Sequence, residues 1–391
     1  MKRVILIVLD SFGVGELPDA DRFGDKGADT FGHIVDSVPG FDVPEMRSLG
    51  LGNIKNAAGG RLAVENPKGA YGRLKELSAG KDTITGHWEI AGVETTMPFK
   101  TYPNGFPDEF IKAFEKAIGR KVLGNYAASG TVIIEDLGNE HEATGCPIVY
   151  TSADSVFQIA ADTDVIPLKE LYSICETARK MLHGKFACGR VIARPYIKID
   201  GKRVRTSDRH DYAVSPPEKT VLDYIKEAGK EVAAVGKIND IFNGRGITKT
   251  VHTESNMDGV DKTLEYMKEN FTGLIFSNLV DFDSKYGHRR DPAGYGKALM
   301  DLDKRLPEII AAMKDTDVLM LCADHGNDPV HSGFDHTREY IPLVVFGKEI
   351  KPTEINDRDT FADIGETIAE ILDVQGTHKG KSFLSSIKKQ G

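Results

Sequence analysis

The sequence has little cysteine, one tryptophan, no surplus of positive charge and no long apolar run. Its four cysteines (Cys146, Cys175, Cys188, Cys322) include no C-x-x-C pair. They are too few and too scattered for a disulfide framework or a thiolate zinc site, so a reducing compartment, the cytoplasm, is expected. Fifty lysines and arginines against 59 acids leave a formal net charge of −9. This argues against a nucleic-acid partner, because neutralising backbone phosphates takes a cationic face. No stretch approaches the roughly 20 apolar residues of a membrane span, and no obligatory protein partner is evident. The opening MKRVILIVLD places two basic residues before apolar ones, but its six-residue apolar run ends at Asp10 without a small-residue cleavage site. It reads as a buried first strand rather than a signal peptide. There is no internal repeat and no low-complexity segment.

At 391 residues the chain is long enough for two domains, since single cores stop growing at roughly 250 to 300 residues. The runs RVILIVLD (3–10), KEVAAVGKIND (230–240), TGLIFSNLVDFD (272–283), TDVLMLCADHG (316–326) and YIPLVVFG (340–347) have the continuous apolar character of strands buried on both faces, as in a parallel sheet. Helical patterns lie at 219–229, 258–271, 294–315 (bent near Pro307) and 360–373, and the alternation predicts a doubly wound α/β sheet. From about Pro98 to Val214 the strands shorten and alternate, as in VLGNYAASGTVIIEDLG, CPIVYTSADSVFQIA and GRVIARPYIKIDGKRVRTS. One or two helices, EFIKAFEKAIG and LKELYSICETARKMLHG, interrupt them. The expected organisation is a discontinuous α/β core, 1–97 and 215–391, with an inserted α+β cap domain, 98–214, joined through the proline-rich MPFKTYPNGFP and AVSPPEK.

Three expected core strands finish in carboxylates: Asp10 after VILIVL, Asp281 and Asp283 after LIFSNLV, and Asp324 after VLMLCA. Ligands of an open α/β sheet bind outside the carboxyl ends of its strands, so these acids should meet in space. His288, His325 and His336 follow closely in DFDSKYGH, ADHGND and HSGFDHTRE. Carboxylate oxygen with imidazole nitrogen suits hard to borderline divalent ions such as Mn²⁺ or Zn²⁺. Six such residues, Asp10, Asp283, His288, Asp324, His325 and His336, are enough for two ions roughly 4 Å apart, the arrangement that stabilises attacking and leaving oxygens in phosphoryl transfer. Singly, a strand-end Asp is more often a helix cap and a loop His more often structural. Gathered at one sheet edge they would repel or lie unsatisfied without a cation.

The stretch GKDTITGHWE (80–89) holds the lone tryptophan, Trp88, beside two threonines, a histidine and glycines. A threonine hydroxyl is a poor nucleophile at neutral pH unless a base or metal lowers its proton affinity. Thr83 is the candidate for that role, with Gly80 and Gly86 allowing close backbone approach. Read blandly, Asp82 and Thr83 only cap a helix.

Taken in order, VILIVLDSFGVGELPDA, GADTFGHI, KDTITGHWE, YTSADSVFQIA, GRVIARPY, RTSDRHDYAV, GKINDIF, SNMDG, LVDFDSKYGHRRD, ADHGNDP and DHTREYIPL resemble the bacterial phosphopentomutases of the alkaline phosphatase superfamily. The resemblance spans nearly the whole chain and implies an alkaline-phosphatase-like core. It implies that Thr83 is the nucleophile, carried as phosphothreonine. Asp10, Asp324 and His325 would hold one Mn²⁺ and Asp283, His288 and His336 the other, with Thr83 between them; other divalent metals would also fit. Cofactor-independent phosphoglycerate mutases carry a serine there, with the Gly-His spacing that Gly86 and His87 keep. The implied reaction interconverts pentose 1- and 5-phosphates, ribose and 2-deoxyribose alike, through a bisphosphate, with a sugar bisphosphate as activator.

A mutase needs a second, distal phosphate site and a lid against water. Arg190, Arg194, Arg205 and Arg209 of the inserted domain, with Lys237 on the core, are candidates for that phosphate, and Ser152 and Asp154 for sugar hydroxyls. His87 and Glu89 either stand behind the metal ligands or contact the sugar, and Trp88 either packs beneath the nucleophile or is ordinary core. The rival readings are a metal-dependent phosphatase or phosphodiesterase on the same core, and a non-catalytic metal-binding or interaction protein.

Overall fold

The apolar run behind Asp10 becomes the middle of a sheet. In the computed structural model, which describes residues 1–97, 99–152 and 155–390, strand β1 (Arg3–Leu9) is buried at all seven positions. Strand β2 (Ala70–Leu74) precedes the inserted segment, which carries β3 (Leu123–Ala127), β4 (Ile148–Thr151), β5 (Val156–Asp162), β6 (Arg190–Ile199), β7 (Lys202–Arg205) and β8 (His210–Ala213). Then come β9 (Glu231–Val235), β10 (Lys249–Val251), β11 (Gly273–Leu279), β12 (Asp317–Cys322), β13 (Ile341–Phe346) and β14 (Thr353–Glu354). The chain divides into two units, Met1–Pro98 with Pro216–Gly391, and Phe99–Ser215.

The first unit is built on an eight-stranded sheet in the order β10-β9-β11-β1-β12-β13-β2-β14. Strand β1 runs parallel to β11, from Arg3 opposite Gly273 to Leu9 opposite Leu279, and parallel to β12, with Val8 opposite Cys322. This register brings Asp10 level with the residues that leave β11 and β12, so one sheet edge collects all three expected carboxylate segments. Helices cover the sheet where the sequence alternates. In Asn256–Lys268 the Ser255 side chain accepts the Asp258 amide, and Val260, Thr263, Leu264 and Met267 form the buried stripe of an amphipathic helix. Asp291 caps Pro292–Ala312, which has proline at its first position and runs through Pro307 as one helix.

Two readings of the sequence change. Strand β13 is antiparallel to both β12 and β2, although its apolar run reads like a parallel core strand. Parallel neighbours are usually joined through a helix; the residues between β12 and β13 form none, and the chain reverses. The stretch 122–138, read as strand, splits into β3 and a helix, Gly130–Thr144. That helix buries Ile133, Ile134, Gly138 and His141, a helical spacing that the local β-branched residues disguise.

The second unit holds a mixed sheet, β3-β4-β5-β6-β7 with β8 also on β6, and the helices Asp108–Ile118, Gly130–Thr144 and Leu168–Met181. Phe157 is the centre of its core, edge-on to Phe106, Phe110 and Phe114 at 4.7, 5.4 and 5.3 Å. Among the described residues no helix is long and apolar enough to cross a membrane.

At the amino ends of the strands Arg3 and Asp317 form a buried bidentate pair, 3.1 Å and 2.6 Å. Removing the cation leaves a buried carboxylate without its counter-charge. Arg3→Met is expected to lose about 3–5 kcal/mol of unfolding free energy in a denaturant titration, with catalysis at the opposite strand ends unaffected.

Candidate active site and metal centre

Asp10, Asp283 and Asp324 are 0%, 5% and 0% exposed. The loops that follow β1, β11 and β12 deliver them, and a segment after β12 returns His336 to the same place. Two groups of ligand atoms lie within 4.8 Å of one another, Asp10 with Asp324 and His325, and Asp283 with His325 and His336. His288 joins the second, its Nε2 3.2 Å from Asp283 Oδ2 and 3.0 Å from His336 Nε2. All six ligand candidates therefore converge. Asp281 does not join them: its carboxylate accepts the Asn256 amide and pairs with Lys285.

The histidines are oriented by their other nitrogens. Nδ1 of His288, His325 and His336 lies 2.9, 3.0 and 3.0 Å from the carbonyls of Phe334, Gly326 and Lys81. A carbonyl can only accept, so Nδ1 carries the proton and each neutral ring turns a lone pair at Nε2 toward the carboxylates. With both rings neutral, two such lone pairs would face each other across the 3.0 Å between His288 Nε2 and His336 Nε2. Asp10 Oδ1 and Asp324 Oδ2 are buried, and among the described residues neither accepts a hydrogen bond. Lone pairs and orphaned carboxylate oxygens converging on one space fit divalent cations. His325 faces both groups, its Nε2 3.3 Å from Asp324 Oδ2 and its ring stacked 3.9 Å from His336.

Charge in this cluster is strongly redistributed. Burial, then the charges of Asp324 and Asp283, raise the Asp10 carboxyl from 3.8 to about 8. Burial would raise Asp283 too, but in the metal-free fold His336, His288 and His325, in their protonated forms, outweigh it and hold that carboxyl well below its ordinary value. At Asp324 burial is likewise outweighed, by His325, His87 and the Ser11 amide, and its carboxyl is lowered.

Thr83 opens the helix Thr83–Ile90. The capping is done by Asp82, whose Oδ1 accepts the amides of Ile84 and Thr85, and this leaves the Thr83 hydroxyl to face His325 Nε2 at 3.2 Å. The cap and the candidate nucleophile are thus adjacent residues rather than competing readings. Gly86 is required by contact: a Cβ there would sit 2.1 Å from the Asp324 carbonyl oxygen. His87 Nδ1 lies 2.9 Å from the Thr83 carbonyl and 3.2 Å from Asp324 Oδ2, so His87 stands behind a ligand. Glu89 is fully buried and points elsewhere, accepting the amides of Leu77, Ser78 and Phe361 and the Thr360 hydroxyl. Trp88 is core, 2% exposed, with its indole N–H on the Ile241 carbonyl at 3.0 Å.

Several residues that sequence reasoning missed hold this arrangement. Asn278 Nδ2 donates to Asp10 Oδ2 at 2.8 Å, and Asn327 Nδ2 to Asp283 Oδ1 at 2.7 Å. Arg290 grips the Asn327 side chain and the carbonyls of Gly287, Asp328, Gly333 and Asp335. Ser11 holds a left-handed φ of 70°, a strained choice for a side-chain-bearing residue that costs on the order of 1–3 kcal/mol. Its amide donates to Asp324 Oδ1 at 2.9 Å. Only the positions beside the ligands, in SNLVDFD, ADHGND and LDS, hinted at these roles.

The other site candidates lie apart in sequence and environment. Lys237 follows β9 on the same sheet and lies near enough for its charge to oppose the rise at Asp10. Within the second unit, buried Tyr150 lies among Arg194, Arg205 and Arg209; burial raises its phenol and the three arginines oppose that rise. Arg209 is bidentate on Asp211, which Arg190 also approaches at 3.6 Å. Arg194 instead donates to Gln158 at 3.1 Å. Among the described residues neither Arg194 nor Arg205 has a carboxylate within 4.0 Å. Ser152 follows β4 and is half-buried; Asp154 lies outside the described residues.

A family model described as the Metalloenzyme superfamily matches residues 2–376, so this α/β core with its cluster of acids and histidines is that of a metalloenzyme. The chain is 57% identical over 390 residues to a phosphopentomutase of Alkaliphilus oremlandii and 58% identical over 390 residues to one of Clostridium acetobutylicum, covering 100% of each chain in both cases. With a phosphopentomutase of Clostridioides difficile it shares 57% over 386 residues, 98% of this chain and 99% of that one. It belongs to the phosphopentomutase family. Leishmania mexicana phosphoglycerate mutase superposes with a TM-score of 0.50 at 11% identity, covering 100% of this chain and 98% of that one, which is a likeness of fold. The core sheet is therefore the alkaline-phosphatase-like one expected, and the chain is an isomerase that uses divalent metal.

With its carboxyl raised to about 8, Asp10 stays protonated in the metal-free fold at pH values where the unfolded chain ionises it. Its stabilising contribution is complete below about pH 4 and is lost as the pH rises through about 8. A divalent ion bound through Asp10 would displace that proton. Calorimetric titration of Mn²⁺ at pH 7, in buffers of different ionisation enthalpy, should show release of about one proton more than Asp10→Asn releases; equal release would contradict the raised Asp10 carboxyl.

Proposed function

We propose that the protein interconverts ribose 1-phosphate with ribose 5-phosphate, and the 2-deoxyribose equivalents likewise, with Thr83 as the phosphoryl carrier. The observation that carries this reading is the Thr83 hydroxyl, presented on the first residue of a capped helix 3.2 Å from His325 Nε2, at the point where both ligand groups meet. A threonine in that place accepts and donates a phosphoryl group without leaving the site. Asp10, Asp324 and His325 would hold one divalent ion, in our reading Mn²⁺, and Asp283, His288 and His336 the other. The pair of ions would lower the proton affinity of the Thr83 oxygen and offset charge on the group in flight.

The remaining roles fall to the chain itself. In the forward half-reaction the bond between Thr83 Oγ1 and phosphorus breaks while a new bond forms to the free hydroxyl of the pentose monophosphate, which gives up its proton. A pentose 1,5-bisphosphate results. It turns round and returns its other phosphoryl group to Thr83, and the oxygen left behind regains a proton. The sum is an isomerisation, and a sugar bisphosphate restores any Thr83 that has lost its phosphoryl group to water.

The phosphate that does not react needs cations away from the metals. Arg194 and Arg205 suit it, since neither spends its charge on a described carboxylate, whereas Arg209 and Arg190 are drawn to Asp211. Planar guanidinium forks match phosphate oxygens. Lys237, Ser152 and Asp154 are proposed for the same substrate, and the unit Phe99–Ser215 for excluding water as a cap. Unpaired thiols at all four cysteines suit a reducing cytoplasm.

Phosphorus NMR tests the reading. Mn²⁺-loaded protein is given ribose 5-phosphate and a trace of ribose 1,5-bisphosphate, and each sample is chelated before acquisition. Ribose 1-phosphate should form with wild type and fall by at least about 10³-fold with Thr83→Ala. Inorganic phosphate as the sole product would show that water, and not a sugar hydroxyl, is the acceptor.

A further inference from the structure

The segment 76–80, which leads from β2 to Asp82 and Thr83, forms neither helix nor strand. Its backbone groups have no ladder to join, yet they are buried at several positions and must be satisfied. Two charged side chains, Glu89 from the helix that follows and Arg338 from far along the chain, satisfy them. Glu89 takes the donors, accepting the amides of Leu77 at 2.9 Å and Ser78 at 2.6 Å. Arg338 takes the acceptors: its Nη1 donates to the carbonyls of Ser78 at 2.8 Å and Gly80 at 2.7 Å, and its Nη2 to that of Glu76 at 3.0 Å.

Arg338 is itself fixed. It is 3% exposed, pairs with Glu76 Oε2 at 2.7 Å and Asp19 Oδ2 at 3.2 Å, and lies over the Phe23 ring at 4.8 Å. Its amide donates to Asp25 Oδ2 at 2.9 Å, and the same carboxylate holds Lys81 Nζ at 2.9 and 3.1 Å. The Lys81 carbonyl in turn receives His336 Nδ1 at 3.0 Å. A single residue, Thr337, separates Arg338 from His336 in sequence, so one short segment holds both a metal-ligand candidate and the approach to the candidate nucleophile. A buried guanidinium is a costly way to fill a core, and an apolar side chain of similar volume is often as stable. What an apolar side chain cannot do is fix three carbonyls in direction.

We propose that Arg338, opposed by Glu89, is a positioning residue for phosphoryl transfer: it clamps 76–80 by its carbonyls so that Thr83 Oγ1 is held in line between the two ligand groups. The role rests on Thr83 being the phosphoryl carrier. Arg338 touches no reacting atom, and its effect reaches the chemistry only through the backbone. Misplacement of a reacting group by about 1 Å can cost about 10²-fold in rate without weakening substrate binding.

The full-length Mn²⁺-loaded protein is compared as wild type, Arg338→Met, Arg338→Lys and Arg3→Met. The last is a control that loses a buried arginine at the amino end of β1, in the same unit. For each, kcat and KM for ribose 5-phosphate are measured, together with thermal stability and the rate at which Thr83 gains phosphate from ribose 1,5-bisphosphate, read by mass spectrometry. Arg338→Met should lose about 100-fold in kcat and in Thr83 phosphorylation rate, with KM within about twofold of wild type. Arg338→Lys, which keeps the charge and some donors, should recover about tenfold of that loss, and Arg3→Met should keep its kcat despite lower stability. Equal losses of kcat in Arg338→Met and Arg3→Met, or a raised KM at unchanged kcat, would overturn the proposal. If Arg338→Met does not fold, Arg338→Lys decides: reduced kcat at wild-type KM supports the clamp, and wild-type kcat refutes it. Wild type that gains no phosphate on Thr83 would overturn the carrier reading first, and the clamp with it.

Discussion

Asp10, Asp283 and Asp324 lie at the carboxyl edge of one sheet, each 5% exposed or less, and the chain offers them almost no positive charge of its own. Three neighbouring histidines commit Nδ1 to backbone carbonyls and so face the acids with lone pairs when neutral. Burying so much negative and lone-pair density without cations would cost many kcal/mol in a low-dielectric site. The demand for metal is therefore built into the fold. The strain at Ser11, the two asparagines behind Asp10 and Asp283, and the grip of Arg290 on the 327–335 segment all hold a metal-demanding cluster open against its own repulsion.

The candidate nucleophile, Thr83, is placed by contact rather than by attraction. Gly86 lets the helix that begins at Thr83 rest on the Asp324 carbonyl at a separation no Cβ would permit. Asp82 satisfies the first amides of the helix, so the Thr83 hydroxyl is not drawn into capping. Trp88, one turn on, anchors the same helix in the core through Ile241. The lone tryptophan thus fixes the site by packing, and only its neighbours His87 and Thr83 face the chemistry.

The parts of this arrangement that depend on strand polarity were legible in the sequence. A parallel sheet places the ends of β1, β11 and β12 together, so acids at Asp10, Asp283 and Asp324 had to converge, and the short loops beyond them carried the histidines along. What depends on side-chain direction was not legible. Glu89, adjacent in sequence to the site, turns to the opposite side of its helix and holds a loop. Arg338 and Asn327 read as ordinary polar residues until the fold showed which carbonyls and carboxylates they meet. Strand β13 and the helix Gly130–Thr144 were misread for the complementary reason: apolar and β-branched runs report burial, while polarity and helix content there follow from the connections and from packing on neighbouring strands.

Electron paramagnetic resonance of the fully Mn²⁺-loaded protein, with the bound metal counted, tests whether the acids and histidines assemble one dinuclear centre around Thr83. The two ligand groups lie so close that His325 Nε2 is within reach of both, and two ions held as proposed should lie roughly 4 Å apart and give a spin-coupled spectrum. One ion per chain, or two ions with independent six-line signals, would contradict it.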